Sequence, residues 1–383
     1  MTGDLKISFV AASRNDDHGG NLLHRMQVFI EALLGQCDRH GLNAELVLVE
    51  WNPPQDRPGL AEALRRPRSE NCRVRIVTVP PGLHRRFDNA DSLPLHQMIA
   101  KNVGIRRSRG NFVVATNIDV LFSNGLMAAL AQGDLDAACW YRTDRHDVPA
   151  DIPASISVED QLAYCAAHVI RVHGRDGTED REAGTFNRIY RDPARLRATA
   201  ALSPLSFLPV VGSRIRNAAR SLEFIETCGR LHTNASGDFT CMARTKWHEL
   251  RGYWEFTGFP AFVDGLLCHG AKFSGLEERI LSADACIYHI EHGTGTGYAG
   301  YASGDKWKNL DIEKIPRITP ENYRETAIGM ARNHASAVRN GEDWGLANET
   351  LEETTPGNRQ SSTTADQPAH GAARQPHNAK DGQ

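Results

Sequence analysis

Apolar residues fall in short, nearly continuous runs along the first third of the chain, and segments of helical period separate them. The runs KISFVAAS (6–13), AELVLVE (44–50), RVRIVTV (73–79), NFVVAT (111–116) and LDAACWY (135–141) predict five buried strands. Between the first two, Leu22, Leu23, Met26, Phe29, Ile30, Leu33 and Leu34 recur every three or four positions, which predicts an amphipathic helix over 21–36. A further helix is expected over 92–107. Asn52-Pro53-Pro54 stops the second strand and Pro80-Pro81-Gly82 the third. Strands apolar on both faces, alternating with helices, predict a mostly parallel α/β sheet covered on both sides.

The rhythm breaks over 150–230, where one piece is unusual. LSPLSFLPVVGSRIRNAARS (202–221) sets Leu, Phe and Val ahead of Arg214, Arg216 and Arg220. Such a stretch can lie on a membrane surface or cover an acceptor site. The plainer alternative is a connecting helix packed on the core. Order returns from 231: a strand or turn through HTNASGDF, a helix at TKWHEL, another over 260–273, and a strand at RILSADACIYHI. Beyond about residue 340 the chain is rich in Pro, Gly, Ser, Thr, Asn and Gln, a composition that predicts a disordered tail. The expected organisation is therefore 1–148, a variable insertion over 149–230, a second half over 231–340, and a tail over 341–383.

The 383 residues carry 44 Lys+Arg against 47 Asp+Glu, a net charge of −3, which excludes a nucleic-acid binder with a dominant basic footprint. There is no run of about 18 apolar residues to span a bilayer. The start, MTGDLKISFV, lacks the basic-then-apolar shape of a secretory signal. The eight cysteines are scattered without a CxxC pair and sit in apolar runs, so reduced thiols and a cytoplasmic protein are expected. The sequons at Asn234 and Asn348 then read as chance matches.

Chemistry gathers at the strand ends, where open α/β sheets bind ligands. The first strand delivers Ser13-Arg14-Asn15-Asp16, the second Glu50-Trp51-Asn52, and the fourth Thr116-Asn117-Ile118-Asp119. Asp119 stands between FVVAT and Val120-Leu121-Phe122, and a carboxylate between apolar runs needs compensation. A divalent cation with a diphosphate would supply it, and hard oxygen ligands suit Mg²⁺ or Mn²⁺. The alternative is a cap on the helix starting near Ser123.

This layout resembles the GT-A glycosyltransferases, most nearly the family-two-like group, over about residues 5–295. Those enzymes carry a DXD-type motif, here Asn117-Ile118-Asp119, with Asn in place of the first Asp. Lys101-Asn102-Val103-Gly104-Ile105-Arg106 is similar to the family's Arg-Asn-x-Gly-like segment. GYWEF (252–256) resembles the turn beside the acceptor, and Phe262-Val263-Asp264 sits where the family carries a Glu-Asp pair, of which only the Asp is kept. The resemblance implies transfer of a sugar from a nucleotide diphosphate donor to a hydroxyl acceptor, with inversion. It assigns the donor to Ser13, Arg14, Asp16, Glu50, Lys101, Asn102 and Asn117. Metal and diphosphate, with Mn²⁺ or Mg²⁺ as cofactor, fall to Asp119 with His289 or His292. Acceptor contacts fall to Asp238, Trp254 and Glu255, and the general base to Asp264. Two histidines three apart on an extended segment need not face one point, so one of them is expected to be structural. Helix capping remains the alternative for Asp264, and a turn role for Asp238.

The expected partners are a nucleotide sugar and a hydroxyl acceptor, including a lipid-linked glycan at the inner face of a membrane, and no nucleic acid. Gly295-Thr-Gly297-Tyr-Ala-Gly300 matches GxGxxG, but YASGDKWKNLD after it has no helical apolar stripe, so a Gly-rich loop is expected rather than a dinucleotide site. Two rivals stay open. A nucleotidyltransferase is disfavoured by Asp16 and Asp17 in the first loop, and a non-catalytic nucleotide- or sugar-binding module is favoured by Asn117.

Overall fold

The computed structural model describes residues 4–65, 68–153, 156–292 and 315–357. The GxGxxG match lies outside the described residues. Four parallel strands open the chain: β1 (Ile7–Ser13), β2 (Ala44–Trp51), β3 (Cys72–Val79) and β4 (Phe112–Thr116). Later come β5 (Val120–Phe122), β6 (Cys139–Arg142), β7 (Arg145–Val148), β8 (Arg171–Gly174), β9 (Gly177–Asp180) and β10 (Thr185–Arg188). The remainder are β11 (Phe239–Ala243), β12 (Glu277–Ile280), β13 (Ile287–Ile290) and β14 (Glu352–Thr354). The main sheet runs β12-β6-β11-β4-β1-β2-β3-β14, with β11 and β14 antiparallel to their neighbours, so it is mostly parallel as expected. A second, mainly antiparallel sheet runs β10-β9-β8-β7-β13-β5.

Side chains alternate across β1 and build two cores. Ile7, Phe9 and Ala11 join one cluster under α1 (Leu22–Arg39), while Val10 and Ala12 join the other under the later helices. Between α1 and β4 come the short turns α2 (Leu60–Ala63) and α3 (Pro81–His84), then α4 (Gln97–Arg106). Gly104 lets α4 press onto the sheet, because a Cβ there would meet Val10 Cγ1 at 2.5 Å. α5 (Asn124–Gln132) is capped by the Ser123 hydroxyl, which accepts from the Leu126 N–H, so Asp119 does not cap it. The insertion forms α6 (Val158–Ala167), the β8–β10 meander, α7 (Pro193–Ala200) and α8 (Pro209–Cys228). Among the described residues of the second half are the α-helices α9 (Arg244–Leu250), α10 (Val263–Phe273) and α11 (Pro320–Arg332).

Two expectations are corrected. RILSADACIYHI is two strands, β12 and β13, because the chain turns at Ser282–Asp284 and leaves one sheet for the other. The tail expected from 341 is folded as far as 357. Trp344 is buried under the Arg106 guanidinium, and β14 covers the β3 edge, held by an Arg75–Glu353 ion pair. A polar composition hid one large anchor and an edge that gains from being paired.

All eight cysteines are buried and unbridged. No described helix is long and apolar enough to cross a membrane.

Candidate functional site

The chain passes from the main sheet to the second sheet between β4 and β5, between β6 and β7, and between β12 and β13. Most of the polar side chains described below gather along this seam. Asp119 lies in the first crossing and is almost fully buried. Arg25, from the first turn of α1, donates to its Oδ2 at 2.8 Å and also holds the backbone carbonyls of His18 and Gly20. His289 Nε2 lies 3.8 Å from Asp119 Oδ1, and His292 Nε2 lies 3.2 Å from Oδ2.

Both histidines therefore face Asp119, against the expectation that one would not. In a regular strand, positions three apart point to opposite faces. β13 ends at Ile290, and the chain beyond it brings His292 back to the same point. Burial pushes the Asp119 pKa up, but the charges of His289, His292 and Arg25 outweigh it and hold the carboxyl well below its ordinary range. Arg25 thus supplies part of the charge compensation that Asp119 needs between two apolar runs.

The donor set still fits a divalent ion. One ligand atom each from Asp119, His289 and His292 lie within 4.8 Å of one another. His289 Nδ1 is 3.5 Å from Asp147 Oδ1, the carboxylate-behind-histidine arrangement that orients metal ligands. Two imidazoles with one carboxylate suit a first-row transition ion better than Mg²⁺, which prefers oxygen donors.

Behind the cluster runs a chain of buried charge. Asp147 is paired with Arg145, Arg171 and His173, and Arg145 extends at 2.7 Å to Asp238. Burial raises the Asp238 pKa, yet Arg145 and His289 bring it below its ordinary value. Asn117 donates its amide to Asp238 and accepts from Gln97 at 3.0 Å. An aspartate at 117 would set a second carboxylate against Asp238. The Asp238 backbone N–H also bonds the Ala235 carbonyl, within the 233–238 turn.

Lys101 is buried on α4 and donates to the Gly237 carbonyl at 2.7 Å. Burial lowers its pKa to about 8, against the opposing pull of Asp238, Asp264 and Asp119. Gly237 donates its N–H to Asp264 Oδ2 at 2.7 Å, and the Ser236 hydroxyl donates to the same oxygen at 2.8 Å. Asp264 stands in the first turn of α10, but the N-cap is Phe262 and no side chain caps that helix. Asp264 thus reaches across to the 233–238 turn rather than capping its own helix.

The remaining expected residues are distributed less compactly. Arg14 donates to the Asn52 carbonyl at 3.0 Å and pairs with Asp16 at 3.1 Å, forming a rim at the ends of β1 and β2. Ser13 instead turns its hydroxyl toward the Met26 sulfur. Glu50 accepts the Leu60 N–H at 2.8 Å, and burial raises its pKa. Asn102 and Glu255 meet each other at 3.1 Å and serve packing. Asn102 takes the Tyr253 N–H and returns a bond to the Tyr253 carbonyl, while Glu255 accepts the Gly345 N–H. Only glycine fits beside that amide, since a Cβ at Gly252 would lie 2.2 Å from Asn102 Oδ1 and its φ is +69°. Trp254 lies under the Arg339 guanidinium, 4.4 Å from ring to cation. Among the described contacts, Asn102, Trp254 and Glu255 touch none of Asp119, Asp238 or Asp264.

Sequence reasoning missed Arg25, Arg145, Asp147 and His173. The one available signal was Arg145-His146-Asp147, three titratable residues in succession, and it covers two of the four.

No protein-family model and no curated protein matches the chain. Among solved structures it is similar to the catalytic domain of Drosophila β1,4-galactosyltransferase 7 in complex with xylobiose, at TM-score 0.32 and 9% identity, covering 75% of this chain and 71% of that one. So distant a likeness leaves any argument about activity to the residues themselves.

Proposed function

We propose that the chain is a GT-A-type, hexosyltransferase-like glycosyltransferase that transfers a sugar from a nucleotide diphosphate donor to a hydroxyl acceptor with inversion. The observation that carries this reading is the convergence of Asp119, His289 and His292 at the carboxyl end of β4, with Asp264 coupled to the same region through Lys101 and Gly237. Residues 1–148 would hold the donor and 231–340 the acceptor, in a cytoplasmic protein with reduced thiols.

Arg14 and Asp16 would border the nucleoside. Asp119, His289 and His292 would hold Mn²⁺, which when bound supplies Lewis-acid stabilisation of charge on the leaving diphosphate. Arg25 and Lys101 add fixed positive charge, an electrostatic contribution that needs no rearrangement during the reaction. Asp264 accepts the proton of the acceptor hydroxyl while that oxygen bonds the anomeric carbon. The bond from that carbon to the diphosphate breaks at the same time, and the nucleoside diphosphate departs with the electron pair. Asp264 suits this role because Oδ2 is oriented by two donors while Oδ1 has no hydrogen-bond partner among the described residues. Asn117 positions Asp238, and Asp238 with Arg145 frames the acceptor side.

One observation favours a second reading, a nucleotide-binding module without catalysis: Arg25 already satisfies Asp119 Oδ2. A thermal-shift screen of nucleoside diphosphates with Mn²⁺ or with EDTA tests the site, because a ligand that binds only the folded state raises the melting temperature. Stabilisation by at least one nucleoside diphosphate, larger with Mn²⁺, is expected. No shift with any of them would overturn both readings.

A further inference from the structure

We propose that the knuckle between α7 and α8 is a docking surface for an anionic lipid bilayer. The chain there makes a single 3-10 turn, Ser203–Leu205, and enters α8. Phe207 is 77% exposed, and Leu202, Leu205, Leu208 and Val211 each keep 38–48% of their surface in solvent. These are the residue types that a globular protein buries first, and a cluster of them in water marks an interaction site.

The knuckle is built rather than frayed. Arg216 donates to the Ser206 carbonyl at 2.9 Å, fastening the apolar turn to the helix behind it. Ile215, Ala218, Phe224 and Cys228 face inward and are buried, so α8 is anchored along its inner side. The packed-helix reading therefore holds for the inner face, and the surface reading for the turn and the outer arginines.

Charge decides the occupant. Residues 188–228, to the end of α8, contain seven arginines against one aspartate and two glutamates, a local net of +4 on a chain whose total is −3, and Arg197 is paired with Glu226. A second copy of the same surface would be repelled, whereas an anionic headgroup layer is attracted to the arginines while Phe207 and the leucines enter its apolar boundary. The helices also connect this surface to the proposed acceptor side. Phe224 of α8 packs on Tyr323 of α11, and Tyr323 packs on Phe262 beside Asp264.

Co-sedimentation of the full chain with phosphatidylcholine vesicles, and with equimolar phosphatidylcholine–phosphatidylglycerol vesicles at low salt, tests the proposal. Binding is expected only to the anionic vesicles, and salt should weaken it. Phe207→Ser removes an exposed ring and should lower the bound fraction severalfold without changing the melting temperature. Arg214→Gln with Arg220→Gln spares the Arg216 bond and should weaken partitioning about 25-fold, at about fivefold per arginine. Absence of binding, or binding that both variants leave unchanged, would overturn the proposal. A dimer that Phe207→Ser dissolves, with no vesicle binding, would instead assign the face to a second copy. Partitioning is measured without donor or acceptor, so its failure leaves the transferase reading intact.

Discussion

Asp264→Asn separates a catalytic carboxylate from a structural one. In the native arrangement Oδ2 receives the Ser236 hydroxyl and the Gly237 N–H. The asparagine carbonyl can accept the same two bonds, so the 233–238 turn keeps its partner and Lys101 keeps the Gly237 carbonyl. The cost is that of replacing a charged acceptor by a neutral one, about 1–2 kcal/mol in all, or a melting temperature lower by about 1–3 °C. What the variant loses is a site for the acceptor proton, and general-base catalysis typically contributes about 10²–10⁴-fold. Turnover should therefore fall by about that factor, with donor affinity unchanged and slow donor hydrolysis surviving. Initial rates and donor binding on one preparation, with Asp264→Ala as the variant that loses both bonds, make the comparison. An asparagine variant that keeps more than about a tenth of native turnover would refute the base assignment, and Asp238 would be the next carboxylate to test.

Asp119→Asn should weaken nucleoside diphosphate binding far more in Mn²⁺ than in EDTA, as titration calorimetry would show; equal losses would remove the metal from the account. Asp119→Ala should also destabilise the fold by about 3–5 kcal/mol, because it strands Arg25 in the interior without its partner. Lys101 titrates at about 8 in the fold against 10.5 in the unfolded chain, so between those values the unfolded state binds more protons and stability rises with pH. Measured by urea unfolding, the stability of the native protein relative to Lys101→Met should therefore improve by about 3 kcal/mol from about pH 7 to about pH 11; a constant difference would show that burial does not lower the pKa of this amine. Truncation after Gly357 should leave melting and turnover nearly unchanged, whereas Trp344→Ala should cost about 3–5 kcal/mol, and an unchanged Trp344→Ala melt would show that the last turn is not part of the folded unit.

The parallel half was legible because strands buried on both faces are written as unbroken apolar runs. β1, β2 and β3 each begin and end within about a residue of their runs. The residue types of the site were legible too, since Asp119, Asp264, His289 and His292 stand at element ends. Their arrangement was not. Arg25 reads as one more polar position on an amphipathic helix, and the carboxylate that pairs with it lies 94 residues away. Asn102 and Glu255 carried the resemblance to a glycosyltransferase, yet they hold Tyr253 and Gly345 in place. Polar residues inside a motif can be there to satisfy backbone groups, and sequence spacing does not distinguish the two uses. The single apolar run at RILSADACIYHI concealed a change of sheet because both pieces are strands.

The proposed transferase has its donor site at Asp119, His289 and His292. Its most direct test is the release of nucleoside diphosphate from a panel of nucleotide sugars, with Mn²⁺ present and a simple hydroxyl acceptor added. Native protein should release nucleoside diphosphate from at least one donor, and both His289→Ala and His292→Ala should abolish that release while the protein stays folded. Release from no donor by native protein that the same diphosphates stabilise thermally would make this a binding module, and release that survives loss of both histidines would contradict the site.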